Sequence, residues 1–147
     1  MARGSWVVLV FYARDFAYVC RSELQGFGEL ESGFAEERAI LVAASTDSYW
    51  SHKAWLETHP LLGDITFPVI ADTTRALALD YGVLGEDGSA PRATFIIDPE
   101  GLVRHATISD LNVGRSPEET LRVLQALKTE RPCPVGWHRG RPMFEAA

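Results

Sequence analysis

The sequence predicts an α/β domain with a central mixed sheet and helices on both faces. Its 147 residues suit one domain, which would bury about two thirds of the surface of the unfolded chain. Short runs of consecutive apolar residues are typical of strands covered on both faces, and stretches with helical periodicity separate them. The predicted order is strand, helix, strand, helix, strand, helix, β-hairpin and helix.

The first predicted strand and helix flank the more distinctive of the two cysteines. Val7 to Tyr12 is continuously apolar and rich in β-branched residues, which predicts a buried strand. A loop from Ala13 to Tyr18 follows and leads to Cys20. From Ser22 to Arg38, apolar residues recur at spacings of three and four, as in an amphipathic helix. Cys20 is therefore expected where a buried strand gives way to a helix.

The middle of the chain repeats the alternation of strand and helix. Ala39 to Ser45 predicts a second buried strand, and Thr46 to Ser48 supplies capping residues for a helix that ends before Pro60. Phe67 to Ala71 predicts a short third strand. Asp72 is expected to cap the next helix, which closes near a glycine.

The last third predicts a hairpin and a final helix. Thr94 to Asp98 and Leu102 to Thr107 flank a Pro-Glu-Gly turn, which is typical of a β-hairpin. Ser116 is the predicted N-cap of a helix that runs to about Lys128, with a proline at its first position. We expect residues 1–147 to form a single domain, with about 129–147 as a C-terminal segment.

Composition and charge exclude several classes of function. Hydrophobic residues make up 46%, charged residues 23%, and the net charge of −6 disfavours nucleic acid and anionic membranes as partners. No apolar run is long enough to cross a bilayer, so we expect a cytoplasmic protein. In a reducing compartment, two cysteines indicate transient redox chemistry more often than a permanent bridge. The four histidines share no metal-ligand spacing with the cysteines and are interpreted as structural or surface residues.

The two cysteines are candidates for an attacking and a resolving thiol. A thiolate is the nucleophilic form of cysteine, and a helix N-terminus or a nearby guanidinium stabilises it. Cys20 has both aids in the sequence, the helix start and Arg21, and we expect it to be open to a small oxidant. Cys133 lies between prolines near the C-terminus, where a mobile segment could bring it to an oxidised partner. The alternative for Cys20 is an inert buried thiol, since free cysteine packs like a small hydrophobe.

Six segments together resemble one known family. They are FYARDFAYVCRSEL, AASTDSYWSHKAW, FPVIADTTRALALDYGVL, RATFIIDPEG, ISDLNVGRSPEE and RPCPVGW. In this order, and over nearly the whole chain, they are similar to the typical two-cysteine peroxiredoxins of the alkyl hydroperoxide reductase type. Agreement of several motifs at once is far more specific than any one of them.

The resemblance implies a fold and a set of site residues. The fold is thioredoxin-like, the peroxidatic cysteine is Cys20, and Arg92 is the arginine of the active site. Glu23 orients that arginine, and Cys133 is the resolving cysteine. On this reading, residues 129–147 are the resolving segment of a single peroxiredoxin domain.

The same resemblance implies a reaction and partners. The enzyme reduces hydrogen peroxide and organic hydroperoxides through a cysteine sulfenic acid and a disulfide between subunits. A thioredoxin-like or dedicated disulfide reductase restores the thiols, and neither a metal nor an organic cofactor is needed. The implied assembly is a homodimer, which the family often builds into rings of dimers.

The cysteine loop departs from the family pattern at three positions. The family has proline, threonine and often proline where this chain has Ala13, Ala17 and Arg21. The threonine hydroxyl would bond the thiolate and the peroxide, so its loss removes a donor from the transition state. The sequence also lacks the β-hairpin that precedes the first strand in the family. The lost threonine and proline leave an alternative open, a degenerate member that acts as a redox-sensing or chaperone-like binding protein with weak peroxidase activity.

Overall fold

A computed structural model describes residues 4–145 and confirms the mixed sheet with its flanking helices. Its strands are β1 (Trp6–Phe11), β2 (Ala39–Ser45), β3 (Val69–Ala71), β4 (Arg92–Ile97) and β5 (Val103–Ser109). Its helices are α1 (Tyr18–Glu29), α2 (Glu31–Glu36), α3 (Tyr49–Thr58), α4 (Ala76–Asp80) and α5 (Pro117–Leu127). None of these helices is long and apolar enough to span a bilayer.

The five strands form one sheet in the order β3-β2-β1-β4-β5. β1 runs parallel to β2 and β2 parallel to β3, whereas β4 is antiparallel to both β1 and β5. Val10 of β1 pairs with Thr94 of β4. The last residues of β1 and the first residues of β4 therefore lie side by side at the same end of the sheet.

The central strand is covered on both faces, which explains its unbroken apolar sequence. Successive side chains of a strand point to opposite faces. Val8 and Val10 enter one buried cluster, which also receives residues of α1, α2, α3 and α5. Leu9 and Phe11 enter a second cluster, together with Ala78 of α4. Both faces of the sheet are thus core.

The helix predicted over Ser22 to Arg38 is wrong in its extent, because two helices occupy this stretch. α1 begins earlier, at Tyr18, and the chain leaves helical geometry at Leu30 (φ −102°, ψ 6°) before α2 starts. Three glycines lie in the predicted stretch, and each costs about 1 kcal/mol of helix propensity relative to alanine. The earlier start places Cys20 inside the first helical turn.

The predicted caps are confirmed for α3 and α5, and corrected for α4. The hydroxyls of Ser48 and Ser116 accept hydrogen bonds from backbone amides in the first turns of α3 and α5. α4 starts only after Arg75, which has φ 61°. Asp72 lies outside this helix, but its carboxylate accepts hydrogen bonds from the amides of Leu77 and Ala78, at 3.1 and 2.9 Å. It therefore satisfies two amides of the first turn of α4.

Candidate active site

Cys20 is the third residue of α1, and its side chain turns inward. The residue has no exposed surface and belongs to the buried cluster that contains Ala13 and Leu24. The expectation that Cys20 is open to a small oxidant is therefore wrong for this conformation. A residue in the first helical turn can face the sheet as readily as the solvent, and here it faces the sheet.

Arg92 lies against the sulfur of Cys20. Its Nη1 donates to Cys20 Sγ at 3.3 Å and to Glu23 Oε2 at 2.8 Å, while Nε donates to the carbonyl of Leu111 at 2.9 Å. Burial lowers the pKa of Arg92, but the hydrogen bonds and charges of Cys20 and Glu23 outweigh that effect and raise it. The guanidinium therefore stays charged, and hydrogen bonds to Cys20, Glu23 and the Leu111 carbonyl hold it in place.

Glu23 bridges Arg92 to a second arginine, Arg115. Glu23 Oε2 accepts from both guanidinium groups at 2.8 Å, and Oε1 accepts from Arg115 N and Nε at 2.8 Å. Burial raises the pKa of Glu23, but the bonds and charge of Arg115, followed by the charge of Arg92, lower it overall. One carboxylate between two buried cations leaves a net positive charge beside Cys20, where it can stabilise negative charge that develops on reacting atoms.

The sequence analysis assigned no role to Arg115. Its Nη1 also donates to the Ala93 carbonyl at 2.9 Å, so it ties the segment before α5 to the start of β4. The only signal in the sequence is its place in the motif ISDLNVGRSPEE, immediately before the N-cap Ser116. It lies 92 positions from Glu23, and no local pattern connects the two.

The start of α1 has no side-chain cap. Ala17 occupies the N-cap position and has no oxygen to accept an amide hydrogen from the first turn. Arg21 does not bond Cys20; its guanidinium carbon lies 5.7 Å from the centroid of the Tyr18 ring, and its buried Nε has no hydrogen-bond partner among the described residues. The first turn of α1, which carries Cys20, is therefore held by fewer side-chain hydrogen bonds than Arg92 is.

A buried polar network fixes the loop between β1 and α1. Tyr12 Oη donates to Asp15 Oδ1 at 2.6 Å, and His52 Nδ1 lies 2.8 Å from Asp15 Oδ2. The Asp15 amide donates to Asp47 at 2.9 Å, and His52 Nε2 bonds the Ile70 carbonyl at 3.2 Å. His52 is therefore one of the structural histidines that the sequence predicts, and its partners hold the loop that leads to Cys20.

Cys133 lies apart from the other predicted site residues. The residue is half-buried, and its sulfur is 3.4 Å from Thr129 Oγ1 and 3.5 Å from the carbonyl of Arg131. Both cysteines are free thiols. The structure thus brings Cys20, Glu23 and Arg92 together and leaves Cys133 elsewhere in the same chain. Among residues 4–145, no group of His, Cys, Asp and Glu side chains is arranged to hold a metal ion.

Comparison with known proteins decides the family. Residues 1–106 match the AhpC/TSA family. The chain belongs to this family of peroxiredoxins. It is 44% identical to a protein of Clostridium pasteurianum described as a putative peroxiredoxin in the rubredoxin operon, over 94% of this chain and 80% of that protein. It is 45% identical to peroxiredoxin tpx1 of Schizosaccharomyces pombe, over 94% of this chain and 76% of the relative.

Solved structures agree with this assignment. The reduced 2-Cys peroxiredoxin of Plasmodium vivax superposes with a TM-score of 0.90 at 33% identity, covering 94% of this chain and 75% of that one. AhpC of Enterococcus faecalis gives a TM-score of 0.86 at 36% identity, over 89% and 82% of the two chains. The thioredoxin-like fold is thereby confirmed, and this peroxiredoxin is a thiol-dependent peroxidase.

The network beneath the loop predicts a pH-dependent stability. Burial lowers the pKa of His52, but the hydrogen bond and charge of Asp15 outweigh it and raise the pKa above its ordinary value of 6.5. The stabilisation from the charged pair is therefore complete below about pH 6.5 and is lost as the pH rises through the folded-state value. We expect the difference in unfolding free energy between wild type and His52→Gln to be larger at about pH 6 than at about pH 9.

Urea unfolding at the two pH values measures this difference. Comparison of the two proteins cancels the titration of all groups that they share, so the change with pH reports His52. A difference that stays constant or grows with pH would show that His52 is not held charged by Asp15.

Proposed function

We propose that this peroxiredoxin reduces hydroperoxides with Cys20 as the attacking thiolate and Arg92 as the group that stabilises charge. Glu23 positions Arg92, and Cys133 resolves the oxidised cysteine. The observation that supports this assignment best is the 3.3 Å contact between Arg92 Nη1 and Cys20 Sγ. The guanidinium that makes this contact is already fixed by Glu23, so little reorganisation is required during the reaction.

The first step breaks the O–O bond of the peroxide. The Cys20 thiolate attacks the terminal oxygen, an S–O bond forms, and the other oxygen leaves with the electron pair of the O–O bond. After proton uptake, the leaving group is water from hydrogen peroxide or an alcohol from an organic hydroperoxide. The sulfur loses two electrons to become a sulfenic acid. Arg92 is placed to stabilise the negative charge that moves from sulfur to the leaving oxygen.

Access to the sulfur requires motion of the segment around it. Cys20 has no exposed surface, so a peroxide reaches the sulfur only when the first turn of α1 or the preceding loop moves. The missing cap at Ala17 makes that turn easier to open, because a capping side chain is typically worth about 1 kcal/mol. The same absence removes a donor for the peroxide, so the substitution favours entry but weakens stabilisation of the transition state.

The second step requires Cys133 to reach the oxidised Cys20. Its thiolate attacks the sulfenic sulfur, an S–S bond forms, the S–O bond breaks, and the oxygen leaves as hydroxide, which takes up a proton to become water. We propose that the pair forms between two subunits of a homodimer. β5 is an edge strand with Val103 and Ile108 more than half exposed, and such an edge is suited to pairing with a second copy.

The remaining assignments complete the cycle. A thioredoxin-like or dedicated disulfide reductase would return both thiols to the reduced state, and no metal or organic cofactor takes part. We assign the protein to the cytoplasm, where such reductases keep thiols reduced. In this proposal residues 1–147 act as one domain, and the resolving segment, about 129–147, is the part that moves to deliver Cys133.

We expect wild-type protein to consume hydrogen peroxide rapidly in stopped-flow experiments, and Ala17→Thr to consume it faster. Threonine restores one donor to the transition state, and a donor of this kind can contribute about 10²-fold. We expect a gain of about tenfold or more, because the added cap also opposes opening of the turn. Cys20→Ser is the control and should consume peroxide no faster than buffer.

Two results would contradict this proposal. Peroxide consumption by wild type at the rate of a free thiol would favour the alternative of a redox-sensing or chaperone-like protein. An unchanged rate in Ala17→Thr would refute the account of the missing donor alone. Because Cys20→Ser reports background reaction in the same assay, the two failures can be distinguished.

The resolving role of Cys133 predicts a covalent dimer. One equivalent of hydrogen peroxide should convert wild type to a disulfide-linked dimer on a non-reducing gel, whereas Cys133→Ser should remain monomeric on the gel. A linked dimer in Cys133→Ser would contradict the assignment. Oxidised wild type without a linked dimer, but with a disulfide within one chain, would contradict the intersubunit arrangement.

A further inference from the structure

Arg21 follows Cys20 directly in α1, and the hydrogen bonding of its side chain is incomplete. Its Nε is buried, and among residues 4–145 it is the one buried side-chain nitrogen or oxygen that has no hydrogen-bond partner. Buried polar groups in folded proteins nearly always have a partner, because an N–H that loses water without gaining an acceptor is unfavourable. A donor of this kind next to a reactive cysteine suits an acceptor that arrives with the substrate.

The side chain of Arg21 extends back over the first turn of α1. The Arg21 amide donates to the Ala17 carbonyl at 2.9 Å, so the two residues lie one helical turn apart and share a face of the helix. Long side chains of a helix point towards its N-terminus. The 5.7 Å between the Arg21 guanidinium carbon and the centroid of the Tyr18 ring shows that this side chain does so. Arg21 therefore extends towards the N-cap residue, Ala17.

Ala17 is the position of the turn at which a hydroxyl donor is absent. Its side chain packs against the buried cluster that contains Cys20, and a methyl group has no hydrogen to donate to an oxygen atom. One turn further along the same helix face is Arg21, whose Nε–H has no acceptor in the part of the chain that the structure describes. An available donor thus lies beside the position that lacks one.

We propose that Arg21 is a catalytic residue, whose Nε–H donates a hydrogen bond to the leaving oxygen of the peroxide in place of a hydroxyl at Ala17. The proposal rests on the proposed function and adds a second donor to Arg92. While the S–O bond forms and the O–O bond breaks, negative charge builds on the leaving oxygen and strengthens this hydrogen bond. The proton stays on Arg21, because a guanidinium does not lose its charge in proteins.

The two arginines differ in what holds them. Arg92 is tied by Nη1 to Glu23 and by Nε to the Leu111 carbonyl, so it keeps its place when α1 moves. Arg21 is half-buried and belongs to the turn that opens to admit peroxide. Its Nε loses no protein hydrogen bond when the turn opens. Arg21 can therefore follow the turn and meet the entering peroxide, while Arg92 stabilises charge from a fixed position.

Replacement of Arg21 by methionine removes the donor and keeps an unbranched side chain of similar helix propensity. We expect Arg21→Met to lower the rate constant for hydrogen peroxide by about tenfold. This is less than the 10²-fold or more of a fully enclosed donor, because Arg21 is half-buried. In a protein that carries Ala17→Thr, the added hydroxyl supplies a donor at the same place. There we expect Arg21→Met to cost only about twofold to threefold, so the two substitutions are not additive.

Two controls separate donation to peroxide from other effects of Arg21. Arg14→Met removes the same charge from the loop before α1, where Arg14 is 59% exposed and pairs with Asp87, and it should change the rate by less than twofold. Alkylation of Cys20 by iodoacetamide requires an accessible thiolate but releases iodide, so it needs no donor to a leaving oxygen. We expect the same alkylation rate in wild type and Arg21→Met.

Stopped-flow peroxide kinetics and mass spectrometry of the alkylated Cys20 peptide give both rates for every variant. Arg21→Met that reacts with peroxide as fast as Arg14→Met overturns the proposal. An equal loss with and without Ala17→Thr, or a matching loss in alkylation, also overturns it, because Arg21 would then act on the thiol or the fold. If wild type consumes peroxide no faster than Cys20→Ser, the proposed function fails instead.

Discussion

The site depends on one buried carboxylate that holds two arginines. Glu23 on α1 binds Arg92 at the start of β4 and Arg115 before α5, and so it joins three elements that are distant in sequence. Removal of Glu23 would cost several kcal/mol, because both buried guanidinium groups would lose their carboxylate. The cluster therefore fixes the guanidinium below Cys20 and helps to hold the fold around it. The energetic cost of burying these charges is offset by their mutual hydrogen bonds.

Much of the fold and most of the site residues were predictable from the sequence. Some contacts between residues that are distant in the sequence were not. The apolar run of β1 and the capping serines Ser48 and Ser116 have local signals, so their elements were predicted correctly. The interruption of helix at Leu30 and the role of Arg115 have no such signal. They result from tertiary contacts, which override local propensity. The burial of Cys20 likewise depends on which way the first turn of α1 faces, and sequence spacing does not determine this.

The strongly hydrogen-bonded and the weakly held parts of the molecule have different roles in the proposed reaction. The arginine cluster and the network of Tyr12, Asp15 and His52 are buried and fully bonded. The turn that holds Cys20 has no side-chain cap, and the segment that holds Cys133 is attached partly through the exposed Arg139, which pairs with Glu37. A rigid base suits a reaction in which a buried sulfur must become accessible to peroxide while the arginine beside it stays in place.

The central claim is that Arg92 activates Cys20, and the rate of peroxide reaction in Arg92→Met tests it most directly. Methionine keeps an unbranched side chain but removes the charge, and Glu23 remains paired with Arg115. Arg104→Met, which removes a half-exposed arginine bound to Asp98, is the control. We predict a loss of about 10²-fold or more in the rate constant for Arg92→Met, with near-ultraviolet circular dichroism unchanged. A folded Arg92→Met variant that reacts as fast as Arg104→Met would contradict the account.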